Sequence, residues 1–246
     1  MLFRSPILAA EKNDVHPPYH WLKPIIYLSI AWAPLIHTVT AFLYAGLPGR
    51  HLWLTAIMAA RFLASAFAAG PALLIILYLI LTKTTKFSAG KEPAQKLSII
   101  VTYAMIINLF FLALEFFTAF YSGIPGHEYS LEYLFFGLEG HGALVPFMWF
   151  SMILGVASVL LLLLPTTRRH MTLLVAACAG VFIASWIDKG LGLVVGGFIP
   201  SPLEHVSEYA PTLPELGISM GVFAIGALAI TVLYKMAATI REEAAA

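Results

Sequence analysis

The sequence is poor in charge, holds a single cysteine and has no extended basic stretch. Only 11% of its 246 residues are charged, whereas a soluble domain carries roughly 25%. The lone cysteine, Cys178, excludes a disulfide framework, and no Cys-x-x-Cys pair is present. We therefore expect no iron–sulfur cluster, structural zinc or c-type haem in this chain. The net charge of +1, without basic residues interleaved with aromatics, also excludes a nucleic-acid surface.

Apolar residues make up 60% of the chain, and the mean hydropathy is +0.88. Crossing a bilayer core of about 30 Å takes ~20 residues in a helix. Six continuous runs are long enough, at about 25–44, 54–81, 97–120, 143–164, 173–196 and 217–237. Continuous rather than alternating runs predict an all-α, polytopic bundle of six transmembrane helices. Gly70 and Pro71 fall inside the second run and predict a kink rather than an end.

The distribution of lysine and arginine among the loops predicts how the protein is oriented in the membrane. Eleven lie in the loops and tails of one side, namely Arg4, Lys12, Lys23, Lys83, Lys86, Lys91, Lys96, Arg168, Arg169, Lys235 and Arg241. The opposite side has only Arg50. The basic side is therefore predicted to be cytoplasmic, with segment 1–24 and tail 238–246 both inside. The apolar stretch 5–10 is too short for a signal peptide. We expect a multi-pass protein of the cytoplasmic (inner) membrane.

Two loops predicted to lie outside, 123–141 and 199–215, contain no lysine or arginine. They carry tyrosines, histidines and acids, the acids being Glu128, Glu132, Glu139, Glu204, Glu208 and Glu215. One interpretation is an aromatic belt with solvated acids. The other is a docking face for an extracytoplasmic partner.

Ionisable residues inside the apolar runs are the main functional clue. His37, Arg61 and Glu115 lie in three successive predicted spans, and Asp188 with Lys189 lies in the fifth. Counting helix rise at 1.5 Å per residue places all of them in the outer half of the membrane. Such groups are costly in hydrocarbon and usually mark a pathway, a relay or a binding pocket.

Arg61 and Glu115 are the stronger candidates. Arg61 stays charged and needs a partner, so it forms either a structural ion pair with Glu115 or Asp188 or part of a polar pocket. Ser65 lies one turn from Arg61 on the same face. Glu115 is either a proton carrier, because burial raises a carboxyl pKa, or a protonated acid hydrogen-bonded between helices. Asn108 lies seven residues earlier on the same face.

His37 and Asp188 are weaker candidates. A membrane histidine is as readily bonded to a backbone carbonyl as it is functional. Asp188 and Lys189 are adjacent, so on a helix they point about 100° apart and need not pair. One could face the bundle while the other reaches towards the interface.

A carboxyl, an imidazole and a guanidinium near one membrane face suit a quinone. Its carbonyl oxygens need hydrogen-bond donors, and its reduction takes up two protons with two electrons. The predicted catalytic residues are Glu115, Arg61, His37 and Asp188, and the predicted quinone-binding residues are His37, Arg61, Ser65, Asn108 and Glu115. No metal site is predicted. A transported ion or amine could use the same groups.

Three stretches resemble the NrfD/PsrC family of quinone-interacting membrane subunits. They are residues 37–43 (HTVTAFL) with 46–50 (GLPGR), residues 61–72 (RFLASAFAAGPA) and residues 115–121 (EFFTAFY). Within that family they are most similar to the DsrP type, found in the sulfate-reduction-associated DsrMKJOP complex. The similarity runs along most of 20–240.

The resemblance implies a subunit of a menaquinone-dependent oxidoreductase complex, not an independent enzyme. Such a subunit exchanges electrons between menaquinone and an extracytoplasmic, ferredoxin-like iron–sulfur subunit. That iron–sulfur protein lies next to a multihaem cytochrome c. The other implied partners of the chain are further membrane subunits of the complex and lipid. Family members have eight to ten spans in two four-helix bundles. With six, this sequence resembles the C-terminal part of such a subunit.

Two other functions stay open on the sequence. A b-type haem cytochrome requires histidine pairs at matching depth on facing helices, and here only His37 is deep, with His141 near a helix start. A transporter or ion channel predicts charged groups across the whole membrane, yet the inner halves of the spans have none except near their ends.

Overall fold

The computed structural model describes residues 19–85 and 90–245, and these residues are almost entirely helical. The α-helices are α1 (Tyr19–Ala45), α2 (Met58–Thr84), α3 (Glu92–Ser122), α4 (Pro125–Phe135), α5 (Val145–Leu163), α6 (Pro165–Arg169), α7 (Met171–Ile187) and α8 (Leu213–Ala245). Short 3₁₀ helices occupy His51–Trp53 and Gly196–Phe198, and a π-helical segment occupies Asp188–Val195. Most of the predicted N-terminal segment 1–24 lies outside the described residues.

The prediction of an all-α protein with six membrane-spanning helices is confirmed. Six helices among the described residues are long and apolar enough to cross a bilayer, at Lys23–Ala45, Met58–Thr84, Glu92–Ser122, Val145–Leu163, Met171–Phe198 and Leu213–Thr239. Helix α2 continues through Pro71. Neither the direction of the spans nor the side of each terminus follows from these helices, so the orientation stays a prediction.

The chain divides into two compact units, and the larger one, Pro34–Glu208, contains helices α2 to α7. The other unit combines the described residues before Pro34 with those from Tyr209 to Ala245. In the larger unit α2 packs along α3, and α5 packs along α7. Within the other unit, α8 buries none of its most apolar stretch, as expected for a helix whose surroundings are hydrocarbon.

Helix α3 buries a seam with alternating spacings of four and three residues. The buried positions of that seam are Ala94, Ser98, Val101, Met105, Asn108, Leu112, Glu115 and Ala119. This seven-residue repeat is the pattern by which one helix face follows a neighbouring helix. Asn108 and Glu115 occupy equivalent positions of the repeat, so both point into the larger unit.

Small residues let the helices of the larger unit approach closely. A Cβ at Gly180 of α7 would lie 2.2 Å from Ser158 Oγ of α5, and one at Gly155 would lie 2.9 Å from Met105 Cε of α3. On α2 the buried face carries Ala64, Ala68 and Ala72. Such positions favour association in a bilayer, where packing rather than the hydrophobic effect holds helices together.

The larger unit has two ends with different loops. We call the end formed by the connecting segments 46–57, 123–144 and 199–208 the acidic end. We call the end formed by residues 85, 90 and 91 together with segment 164–170 the basic end. An apolar cluster that includes Ile75, Val101 and Val181 fills the half towards the basic end. A second cluster around Trp53, Tyr133 and Leu193 fills the half towards the acidic end.

Candidate functional site

Arg61, Glu115 and Asp188 meet between these two clusters. The Arg61 guanidinium donates one hydrogen bond to Glu115 Oε2 and another, of 2.6 Å, to Asp188 Oδ1. The three residues are only 5%, 8% and 7% exposed, so the ion pairs are shielded from water. A buried guanidinium needs such partners, because an unpaired charge in low dielectric is very costly. Arg61 therefore pairs with both predicted partners at once.

Lys189 adds a fourth charge. Its Nζ lies 3.0 Å from Asp188 Oδ2 and 5.7 Å from the centre of the Phe62 ring. Asp188 thus contacts two cations, and two positive and two negative groups make the cluster formally neutral. The sequence predicted that these neighbours need not pair, and the structure brings them together. The long lysine side chain turns back to its neighbour rather than towards the interface.

Asp188 begins the π-helical segment, which interrupts the regular α-helix after Ile187. Such segments are rare and are often found at functional sites. Trp53 supports this one from the first 3₁₀ helix, since its indole Nε1 donates to the Leu193 carbonyl at 2.8 Å. Gly197 makes room for the indole, because a Cβ there would lie 2.1 Å from Trp53 Nε1. A distant aromatic residue thereby holds the backbone that presents Asp188.

A chamber of about 10 Å³, room for about one water, adjoins Asp188 on the side of α3. Its lining includes Asn108 of α3, Ser151 of α5 and Ser185 of α7. Asn108 Oδ1 and Ser185 Oγ are buried and have no hydrogen-bond partner among the described residues. Buried polar atoms are rarely without a hydrogen-bond partner, and the chamber has room for a water beside them.

A larger cavity, of about 340 Å³, lies beside Glu115 at the acidic end. Its lining comes from the chain before α2, from α3 and from α4, and includes Glu115, Thr118, Ser122, Ile124 and His127. Ile124 is 51% exposed, so the cavity reaches the surface. Glu115 Oε1, the oxygen that does not face Arg61, has no partner among the described residues. The cavity therefore connects the side chain of Glu115, which is one of its lining residues, with the acidic end.

Two histidines lie at this end of the molecule. The rings of His51 and His127 are 6.3 Å apart between centroids, at an interplanar angle of 67°. Burial, and then the positive charge of His51, lower the pKa of His127 below its usual 6.5. The His127 ring is therefore neutral at pH 7 and can accept a proton.

Glu208 has a structural role within the acidic loops. Its Oε1 accepts a hydrogen bond of 2.8 Å from the Ala143 amide and lies 3.4 Å from the Tyr133 hydroxyl. Burial, followed by the nearby Glu208 carboxylate, raises the pKa of Tyr133 to about 12. Of the acids in these loops, Glu139 is exposed and Glu128 and Glu132 are half-buried.

The other predicted site residues have different surroundings. Ser65 is buried one turn from Arg61, but its hydroxyl donates to the Phe62 carbonyl of its own helix at 2.9 Å. Asn108 lines the small chamber beside Asp188 rather than the Glu115 cavity. His37 is half-buried on α1 and does not line the Glu115 cavity. Their predicted roles stay predictions.

Trp53 and His127 were not identified from the sequence as parts of the site. Trp53 lies 140 positions from the carbonyl it binds, and no local pattern connects the two. In the sequence, His127 is one of the histidines of the acidic loop 123–141. The one signal was its place in a short helix that directly follows the span carrying Glu115.

Comparison with known proteins gives a family match and two distant relatives. A family model described as polysulphide reductase, NrfD, matches residues 7–199. A putative dimethyl sulfoxide reductase membrane subunit from Halobacterium salinarum is 23% identical over 221 residues, covering 80% of this chain and 49% of that protein. A selenate reductase subunit from Mesobacillus selenatarsenatis is 23% identical over 232 residues, covering 87% and 51%. The chain thus spans about half the length of these curated relatives.

Proposed function

This chain belongs to the polysulphide reductase NrfD family, and on that premise we propose that it is an integral membrane subunit of a respiratory redox complex. In this proposal it exchanges electrons and protons between menaquinone and an extracytoplasmic iron–sulfur partner. The menaquinone is an exchangeable substrate. The family membership confirms the resemblance inferred from the three sequence motifs.

The observation that carries the proposal is the buried carboxyl of Glu115, paired with Arg61 through one oxygen only, in the lining of a cavity of about 340 Å³. That volume lies within the range of roughly 300–1,000 Å³ typical of small-molecule sites. Apolar side chains such as Leu52, Leu114 and Leu131 form much of the lining, with few polar groups among them. This combination suits a flat, largely apolar ring whose two oxygens need hydrogen bonds.

Glu115 would serve both redox states of the ring. As a carboxylate, Oε1 accepts the proton of a quinol hydroxyl, and as an acid it donates to a quinone carbonyl. Arg61 holds the other oxygen, so the carboxyl is kept in one orientation. Asp188 on the far side of Arg61 keeps the guanidinium paired when Glu115 takes up a proton.

The finer identity of the complex also belongs to the proposal. One relative is named as a membrane subunit of a dimethyl sulfoxide reductase, and the other as a subunit of a selenate reductase. For this chain we propose a complex of sulfur or sulfate metabolism of the DsrP type, on the similarity of the three motifs. Its ferredoxin-like iron–sulfur subunit and multihaem cytochrome c would lie at the acidic end, and the membrane would be the cytoplasmic one.

Extraction of the purified chain with organic solvent, followed by mass spectrometry of the lipids, tests the quinone directly. The proposal expects menaquinone at a substantial fraction of one molecule per chain, and less in a variant whose cavity is filled by Ala119→Phe. A visible spectrum of the same sample checks the alternative. A Soret band that shifts on reduction would assign the chain to the b-type haem proteins instead.

Replacing Glu115 by glutamine tests the chemistry. Glutamine keeps the shape and hydrogen bonding but cannot exchange protons, so quinone turnover should fall by roughly 10²-fold or more. Arg61 keeps Asp188 as its partner, so the variant should still accumulate in the membrane. Accumulation is measured by immunoblot and turnover in membranes with menadiol as donor. Normal turnover with normal assembly would leave Glu115 without a catalytic role.

A further inference from the structure

The ion cluster has a polar connection towards the acidic end, whereas beyond the small chamber beside Asp188 the helices are closely packed towards the basic end. On the basic side, Met105 is 2% exposed and lies within 4.0 Å of Asn108 Nδ2. The hydroxyls of Ser98 and Thr102 there donate to carbonyls of their own helix at 2.6 and 2.7 Å. The cavity beside Glu115, by contrast, reaches the surface of the acidic end. Protons that Glu115 exchanges therefore have a route to that end.

His127 lies on this route. It lines the same cavity as Glu115 and is half-buried, while its neighbour His51 is exposed to solvent. Gly126 allows the two rings to approach, because a Cβ at this position would lie 2.8 Å from Cγ of His51. The histidine pair thus spans the distance from the cavity wall to the aqueous surface.

The ionisable groups around His127 come from three elements, namely the first 3₁₀ helix, α3 and α4 itself. Of the described elements that pack against α4, the first 3₁₀ helix contributes His51, and α3 contributes Glu115 and Tyr121 at this level. Tyr121 is 81% exposed and stacks on Phe117. Helix α5 and the second 3₁₀ helix contribute no ionisable side chain. The ionisable side chains of α4 itself, besides His127, are Glu128, Tyr129, Glu132 and Tyr133.

We propose that His127 carries protons between the Glu115 cavity and the aqueous phase at the acidic end. The neighbouring His51 tunes this transfer. The proposal rests on the proposed quinone function of the same cavity. Imidazole is the side chain whose proton affinity lies nearest neutrality, so it can both accept and release a proton there. The lowered pKa of His127 supports a ring that is neutral and ready to accept.

In quinol oxidation the two protons leave the cavity one at a time. One quinol becomes one quinone and yields two electrons and two protons, and the electrons pass to the iron–sulfur partner named in the proposed function. Glu115 Oε1 accepts one proton from a quinol hydroxyl and passes it through cavity water to a ring nitrogen of His127. His127 releases it to the aqueous phase, and Glu115, again a carboxylate, takes the second. Quinone reduction runs the same steps in reverse.

His127→Gln is the direct test, with His170→Gln as matched control. His170 is an exposed histidine of the basic end, away from the docking face, and it does not line the cavity. In membranes with the intact complex and menadiol as donor, His127→Gln should lower turnover at pH 7 by about tenfold or more. Added imidazole should restore part of the rate, which a structural role would not allow. His170→Gln should match the unmodified protein.

His51→Gln tests the tuning and has a defined sign. His51 lowers the pKa of His127, so its removal should raise that pKa towards 6.5. Because only neutral His127 accepts a proton, the fall of turnover on acidification should then begin at a higher pH. If the pH at which turnover begins to fall is unchanged or lower in His51→Gln, His51 does not tune His127.

A second readout uses the purified full-length chain without turnover. Diethylpyrocarbonate modifies neutral imidazole, and peptide mass spectrometry reports the rate at each histidine against pH. His127 should show a midpoint below 6.5 that rises in His51→Gln, and menadione should protect His127 but not His141. Absence of this protection would overturn the placement of His127 at the quinone cavity.

The outcomes separate this proposal from the function on which it rests. If Glu115→Gln abolishes turnover while His127→Gln is normal and imidazole has no effect, the proton route through His127 is wrong and the quinone function stands. If the chain neither retains menaquinone nor shows any menadione protection, the quinone function itself fails. Loss of turnover in His127→Gln with recovery by imidazole supports both.

Discussion

At the scale of single residues, Asp188 is the group on which the buried charges depend. Its two oxygens face Arg61 and Lys189, while Glu115 has Arg61 as its only cation within the cluster. Removing Asp188 would therefore leave Lys189 unpaired in a buried position, whereas removing Glu115 leaves every cation with a carboxylate. Breaking a buried pair costs about 3–5 kcal/mol. The two acids should consequently respond differently to neutralisation.

Asp188→Asn should accumulate poorly and unfold at a lower temperature than Glu115→Gln, because it leaves the buried Lys189 ammonium without a carboxylate. The double variant Asp188→Asn with Lys189→Met removes both charges and should recover part of the loss. The coupling between the two changes should be roughly 0.5–3 kcal/mol, the range for residues in one network. Thermal unfolding of the purified proteins measures it. Additive effects of the two single changes would show that Asp188 and Lys189 do not interact.

At the scale of elements, the π-helical segment depends on a contact from outside the helix. An indole from the first 3₁₀ helix binds the Leu193 carbonyl, and the Phe198 ring packs edge-on against that indole with centroids 5.1 Å apart. The guanidinium of Arg50 in turn lies 4.8 Å from the Phe198 ring centre and donates to the Phe198 carbonyl. These contacts fix the segment in which Asp188 and Lys189 begin the π turn.

Gly197→Ala should destabilise the protein, because its Cβ would lie 2.1 Å from Trp53 Nε1 and displace the indole. The expected loss is about 1–3 kcal/mol, typical of an overpacked core. Gly190→Ala in the same region is the matched control, since no atom lies within 4 Å of its added Cβ. Thermal unfolding compares the two. An equal effect of both changes would mean that the contact with Trp53 does not matter.

At the scale of the whole molecule, the loop charges predict an orientation with both termini cytoplasmic. Cys178, the only cysteine, is fully buried, so an introduced cysteine can be labelled without background. Ser207 at the acidic end and Thr84 at the basic end are both exposed. In intact cells an impermeant maleimide should label Ser207→Cys, and it should reach Thr84→Cys only after permeabilisation. The opposite pattern would reverse the orientation.

The acidic end is also the predicted docking face for the redox partner. Replacing Glu128, Glu132 and Glu139 together by lysine should release the partner while the subunit stays folded, because like charges then oppose the complementary surface. Replacement of the same three by glutamine should weaken the complex less. Glu208 is left unchanged because it binds the Ala143 amide. Co-purification at physiological salt measures the complex, and full retention in the lysine variant would contradict this role.

The number of spans and the depth of their residues could be predicted from the sequence. Both follow from properties added up residue by residue along one helix, namely hydropathy and rise. A helix that crosses hydrocarbon must satisfy its backbone and stay apolar over ~20 residues, so hydropathy alone locates six helices. Depth follows from helix rise, which is why Arg61, Glu115 and Asp188 could be expected at a common level. The seven-residue spacing of Asn108 and Glu115 likewise placed them on one face.

What only the tertiary structure decided is which groups meet at that level. The rotation of each helix and the π turn after Ile187 depend on packing partners far away in sequence, such as Trp53 against Leu193. These choices make Arg61 bridge two carboxylates, turn Lys189 back onto Asp188 and place Glu115 in the lining of a cavity that His127 also lines. Hydropathy and helix rise do not predict these side-chain pairs, because contacts between helices depend on close packing in three dimensions rather than on local pattern.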